Sequence, residues 1–172
     1  MSGAVPAPSP RSGRASVWLA EMHEAETVAD LLVEFRDHTG RDWPSRNAFH
    51  AAVERLIEGR DAEYLLGAPD EDSPPAGVCQ IRYRFGVWVA GEDGELEDLF
   101  VREQARRSGV GAALVEAALD RAARRGCRRM KLDVNAANPA ARALYERFGF
   151  SSWSDPPGGD DLLMRLRLPE VP

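Results

Sequence analysis

The chain has 172 residues, 44% of them apolar and 29% charged, with a formal net charge of −6. That size suits one domain burying roughly two thirds of its unfolded surface, and the composition is that of an ordinary globular protein. No apolar run approaches the roughly 20 residues of a membrane-spanning helix, and the basic residues, all arginine except Lys131, are interspersed with Asp and Glu, which argues against nucleic acid as a partner.

Residues 1–14 carry Pro, Ser and Gly where a signal peptide has an apolar segment, so a cytoplasmic protein with a flexible N-terminal tail is expected. One domain is expected over residues 15–168, with a short tail over 169–172. Val17-Trp18-Leu19 suits a first strand, and Val28, Leu31, Leu32 and Phe35 mark one face of a helix over 24–38. Ser45 is placed to cap a second helix carrying Phe49, Val53, Leu56 and Ile57 and ending at Gly59. Residues 63–66 read as a strand, 68–76 as a hairpin connection and 77–89 as a long strand. Gly91-Glu92-Asp93-Gly94 is expected to turn the chain back into a strand over 96–101. A helix over 110–125 follows, with Asp120 and Arg124 at i,i+4 spacing and Gly126 at its end. Residues 129–134 then form a strand parallel to 96–101 through a right-handed crossover. A short helix over 139–148 precedes strands near 151–153 and 162–168. No internal repeat is present.

Between the strand at 96–101 and the helix at 110 lies Arg106-Arg107-Ser108-Gly109-Val110-Gly111. A strand running through a glycine turn into a helix start directs several backbone N–H groups, and the positive end of the helix, at one spot suited to phosphate. A P-loop would need Lys and Ser/Thr after the last glycine, where Ala112 and Ala113 stand. A dinucleotide fingerprint would need a third glycine where Leu114 stands, although Asp133 at the end of the next strand leaves that reading open. A plain helix start capped by Ser108 is the simplest alternative. Cys79 and Cys127, and His23, His38 and His50, lie apart without metal-ligand spacing, so neither a disulfide framework nor a metal site is expected.

The Arg106 to Gly111 turn, followed by Asn138-Pro139-Ala140-Ala141-Arg142-Ala143-Leu144-Tyr145 and a Gly149-Phe150 close, resembles the GNAT superfamily of acetyl-CoA-dependent N-acetyltransferases over roughly residues 16–168. The resemblance implies an α/β fold with a mixed, mostly antiparallel sheet of about six to seven strands flanked by about four helices. It implies that backbone N–H groups of Arg106, Arg107, Ser108, Gly109, Val110 and Gly111 receive the pyrophosphate of acetyl-CoA. Arg107 departs from the usual Arg-Gly start of that loop. Backbone groups of Leu99, Phe100 and Val101 would align the pantetheine arm and Asn138 would touch it, although Asn before Pro is also an ordinary helix cap.

The matching tyrosine, Tyr145, would protonate the departing thiolate, although it equally suits a core aromatic on the face of Ala141, Leu144 and Phe148. Residues 96–101 are similar to the segment in the spermidine/spermine and diamine acetyltransferase branch, which favours Glu97 over Asp98 as base or amine-binding carboxylate. As strand neighbours the two are expected on opposite faces of the sheet. A solvated strand carboxylate is the bland reading of either. Glu34, Asp37, His38 and Trp43 are candidates for the acceptor pocket. The resemblance thus implies direct acetyl transfer to a primary amine of a small molecule, without metal, in a protein that can dimerise through its last strands. A chain that binds acetyl-CoA without transferring it would carry the same motifs.

Overall fold

The computed structural model describes residues 14–152 and Leu166. Strands β1 (Ser16–Leu19), β2 (Ala62–Ala68), β3 (Gly77–Gly86), β4 (Gly91–Val101) and β5 (Arg129–Leu132) form one sheet in that spatial order. All neighbours are antiparallel except β4 and β5, which are parallel. The helices are α1 (Ala25–His38), α2 (Arg46–Glu58), α3 (Val110–Arg125) and α4 (Pro139–Arg147). The expected α/β class and mixed sheet are present, with five strands among the described residues. Of the last two expected strands, residues 151, 152 and 166 are described and belong to no strand, and the rest, with nearly all of both tails, lies outside the described residues. No described helix is long and apolar enough to cross a membrane.

Strand alternation sends side chains to two cores. On one face Leu65, Cys79, Ile81, Tyr83 and Leu96 meet Val110, Leu114, Val115 and Ala118 of α3 and Tyr145 of α4. On the other, Tyr64, Leu66, Val78 and Phe100 meet Val28, Leu31 and Leu32 of α1 and Val53 of α2. Helix ends follow their chemistry: the Ser45 hydroxyl accepts from Ala48 N–H at 3.2 Å, and Gly126, at φ +89°, closes α3 in the left-handed conformation that glycine enters without Cβ strain.

The expected turn at 91–94 is displaced. β3 ends at Gly86, residues 87–90 make the turn with Ala90 N–H on Val87 C=O at 3.1 Å, and Gly91 already pairs with Gly86. The glycines misled because one of them serves packing: a Cβ on Gly94 would lie 2.6 Å from Met130 Sδ.

A second glycine pair seats α3. Gly67 and Gly77 oppose each other on β2 and β3. A Cβ on Gly77 would stand 2.8 Å from Val110 Cγ1, 3.0 Å from Leu114 Cδ1 and 3.2 Å from the Phe100 carbonyl oxygen. On Gly67 it would meet the same two side chains at 3.0 to 3.3 Å. The first turn of α3 therefore rests directly on sheet backbone. Gly77→Ala is expected to destabilise the fold by about 1–3 kcal/mol through overpacking and to accelerate amide exchange at the start of α3. Denaturant titration and hydrogen exchange measure both effects, and unchanged values would show that the helix sits less tightly than described.

Candidate functional site

The register of β4 creates the site. Gln80 pairs with Asp98 but Ile81 pairs with Leu96, so Glu97 is an extra residue in a β-bulge. The bulge cancels the expected alternation. Asp98 lies opposite Gln80, and Gln80 Nε2 donates to Glu97 Oε2, so both carboxylates occupy the α1/α2 face. The expectation that they face opposite sides is thereby corrected.

Pairing between β4 and β5 runs only from Asp93 opposite Arg129 to Leu96 opposite Leu132. From the bulge onward β4 is paired with β3 alone, and the other edge of 97–101 is open to a ligand backbone. The side chains of Leu99 and Val101 pack on the α3 core, whereas Phe100 stacks on Phe35 with ring centroids 5.4 Å apart. Only backbone groups of these residues are available to the edge.

Beyond β4, Glu103–Ala105 forms a 3-10 turn, and Arg106 turns back so that its Nε donates to Val101 C=O at 3.1 Å and its Nη2 lies 3.4 Å from His38 Nε2. Arg107, at φ +63°, and Gly109, at φ +88°, take left-handed conformations that bend the chain into α3. A non-glycine residue there costs about 1–2 kcal/mol, and such residues gather at ligand sites. The Ser108 hydroxyl donates to Ala105 C=O and does not cap the helix, contrary to the simplest alternative. The first helical bond runs from Ala113 N–H to Gly109 C=O at 2.9 Å, so the N–H groups of Val110, Gly111 and Ala112 have no carbonyl partner.

Gly111 and Ala112 line a groove of about 470 Å³ together with Arg107, Gly109, Ala140, Leu144 and Arg147. Arg107 and Arg147 are exposed and make no ion pair among the described residues. With the positive end of α3, they give the groove a positive potential. Sequence reasoning missed Ala140, Leu144 and Arg147, although their i, i+4, i+7 spacing marks one face of α4. Asn138 caps α4, accepting from Ala141 N–H at 3.1 Å with Pro139 following.

Tyr145 is buried on the opposite side of α4 and meets Phe150 edge-on at 5.9 Å. Its hydroxyl makes no hydrogen bond among the described residues. Burial first, then the charges of Cys79 and Asp98, push its pKa up to about 12, so it stays protonated over the working pH range. Asp98 is also without a hydrogen bond or ion pair among these residues. Burial, then the neighbouring Glu97 charge, raises its pKa above the usual carboxylate value, partly opposed by Arg41. Glu97 is engaged by Gln80 and, at 3.2 Å, by Arg82. Tyr64 completes the row by donating to Gln80 Oε1 at 3.0 Å.

The acceptor-pocket candidates are less uniform. Glu34 is held bidentately by Arg102 at 2.8 and 2.6 Å, and Asp37 accepts from Arg36 at 2.6 Å, so both serve the scaffold. His38 lies beside Arg106 and 6.2 Å from the Phe100 ring, while Trp43 is largely exposed.

Comparison with known proteins agrees with this arrangement. A candidate ribosomal protein bS18 alanine N-acetyltransferase of Bacillus subtilis (strain 168) is 26% identical over 117 residues, which span 68% of this chain and 66% of that protein. The thialysine N-epsilon-acetyltransferase of Sus scrofa is 28% identical over 137 residues, 76% of this chain and 73% of that one. The crystal structure of a candidate acetyltransferase from Arthrobacter sp. FB24 superposes with a TM-score of 0.80 at 26% identity, covering 94% of this chain and all of that one. The sequence model of the acetyltransferase (GNAT) family matches residues 26–150, a span that contains the bulged strand, the uncapped helix start and Tyr145, and the chain belongs to that family.

Proposed function

We propose that the chain transfers the acetyl group of acetyl-CoA to a primary amine of a small molecule by direct attack, with Tyr145 as acid and the Glu97/Asp98 pair on the amine side. The observation that carries this reading is the uncapped start of α3, where Gly111 and Ala112 line a groove flanked by Arg107 and Arg147. The family fold supports acetyl-CoA as the donor. In this reading the N–H groups and the two arginines hold the pyrophosphate, and the open edge of residues 99–101 holds the pantetheine arm.

The chemistry requires a neutral amine, and alkyl ammonium groups with pKa near 10 must first lose a proton. Asp98 is the better acceptor of that proton: it has no partner, and burial makes it more basic than an ordinary carboxylate. Glu97, already engaged by Gln80 and Arg82, is better suited to holding the ammonium before deprotonation. The nitrogen then bonds to the acetyl carbon and the carbon–sulfur bond breaks. Asp98 passes the ammonium proton to solvent, the thiolate takes the Tyr145 hydroxyl proton, and the proton left on the acylated nitrogen passes through water to restore Tyr145. A cytoplasmic location and a homodimer through the last strands belong to the same proposal, and sedimentation tests the dimer.

A screen for thiol release from acetyl-CoA across primary amines tests the reading. Turnover is expected with at least one small amine, and its absence with all of them would reject it. Tyr145→Phe is expected to lower kcat about 100-fold, the usual scale of a lost general acid, with folding stability changed by less than about 0.5 kcal/mol because the hydroxyl has no partner to lose.

Asp98→Asn separates the two carboxylates. A carboxyl whose folded pKa is raised binds its proton more tightly folded than unfolded, so its contribution opposes stability once pH rises through that raised value. Asparagine imitates the protonated form. The variant is therefore expected to melt at a higher temperature near neutral pH while losing most of kcat, and wild-type kcat should fall as pH drops through the raised pKa. Glu97→Gln should act more on KM. A lower melting temperature for Asp98→Asn, or full kcat, would reassign the base.

A further inference from the structure

Gln80, on β3, is 5% exposed, and an amide so deep costs free energy unless both its ends are bonded. Both ends are. Tyr64, its cross-strand partner on β2, donates its hydroxyl proton to Oε1 at 3.0 Å, and Nε2 donates to Glu97 Oε2 in the bulge of β4. Tyr64 is itself fixed, 2% exposed among the apolar side chains of α1 and α2. The row thus crosses three strands, from the core to a carboxylate whose side chain is 34% exposed. Glu97 lines a groove of about 360 Å³ that continues along Arg84 and Asp93.

Charge dictates the direction of the row. A carboxylate only accepts, so the NH2 end of the amide faces Glu97, its carbonyl faces Tyr64, and the phenol donates. Burial first, then the Asp98 charge, pushes the Tyr64 pKa up, so that donor is kept over the working pH range. Arg82 Nη2, at 3.2 Å, reaches the same Oε2. Both grips therefore fall on one oxygen, and Glu97 Oε1 makes no hydrogen bond or ion pair among the described residues. Held by a buried amide, the carboxylate lacks the rotamer freedom of an ordinary strand glutamate, which lowers the entropy cost of receiving a cation.

Resting on the acetyl-transfer reading above, we propose that Gln80 is a positioning residue for the acceptor: locked by the Tyr64 hydroxyl, its amide holds Glu97 by Oε2 and keeps Oε1 for the ammonium group of the incoming amine. Gln80 itself touches neither substrate. It governs capture of the amine and leaves proton removal to Asp98, its neighbour in register on β4. An apolar residue at position 80 would leave the Tyr64 hydroxyl unpaired and Glu97 held by Arg82 alone, a long side chain 37% exposed. The carboxylate would then follow the arginine, and Oε1 would lose its fixed direction.

The test measures steady-state kinetics of Gln80→Met, which keeps the length of the side chain but not its amide, with the amine that wild type turns over fastest. KM for the amine is expected to rise about tenfold, the scale of one hydrogen bond to a charged group, with kcat within about threefold and KM for acetyl-CoA unchanged. Gln80→Asn, whose amide falls one methylene short of Glu97, gives the same split should the methionine variant fail to fold. Tyr83→Phe removes an equally buried hydroxyl, the one that donates to Glu63, and is the structural control: its melting temperature is expected to fall and its KM to stay. Tyr64→Phe is expected to raise KM less, and adding it to Gln80→Met to raise KM no further, since the tyrosine acts only through the amide. A wild-type KM in both Gln80 variants, a loss confined to kcat, or additive effects in the double variant overturns the proposal. Calorimetric titration of 1,4-diaminobutane separates it from the reading it rests on. If no amine is turned over, binding that weakens about tenfold in Gln80→Met upholds the positioning of Glu97 and rejects transfer, whereas binding that is absent or unchanged overturns both.

Discussion

The structure depends most on how closely α3 approaches the sheet. Gly67 and Gly77, cross-strand partners, leave no side chain between the sheet and Val110 or Leu114, so the helix starts at the level of the strand ends. Any side chain at either position would lift the first turn, and with it the three N–H groups of Val110, Gly111 and Ala112. The clamp of Arg102 on Glu34, and of Arg102 Nη1 on Pro75 C=O at 3.0 Å, fixes the chain just before that turn. Backbone donors have no side chains to adjust, so their placement comes from this seating.

The bulge at Glu97 is the second organising device. One extra residue ends the β4–β5 ladder, opens an edge and sends two carboxylates to the same face. These results cannot be separated, because the misregister that frees the edge also puts Glu97 beside Asp98. The crowding has an electrostatic consequence, since the Glu97 charge reinforces the effect of burial on Asp98. A single backbone irregularity thereby links the open strand edge to the raised basicity of Asp98.

What could be read in the sequence was whatever local chemistry controls. Ser45, Asn138-Pro139 and Gly126 mark helix ends because caps and left-handed turns act within a few residues. The strand and helix periods around the Arg106 turn were equally plain. The turn at 91–94 was misplaced because glycines that relieve packing read like glycines that bend the chain, and only the contact with Met130 tells them apart. The bulge was invisible since it depends on register with β3, a non-local property. Ser108 fails as a cap because its hydroxyl found Ala105, and Phe100 offers only backbone because Phe35 claims its ring. The groove along Arg84 and Asp93 lies across three strands, and no spacing in one strand announces it.

Polar groups without partners are unevenly distributed over this molecule. Several charges are matched closely: Glu63 accepts from Arg121 at 2.6 Å and from the Tyr83 hydroxyl at 2.8 Å, and Arg125 binds Glu92 while its guanidinium lies 4.0 Å over the Tyr83 ring. Among the described residues, the start of α3, the Tyr145 hydroxyl, the Asp98 carboxyl and Asp93 Oδ1 lack hydrogen-bond partners, and Arg84, Arg107 and Arg147 make no ion pair. A buried polar group left without a partner carries a local cost in stability. A ligand that supplied partners to the buried ones among them would offset that cost.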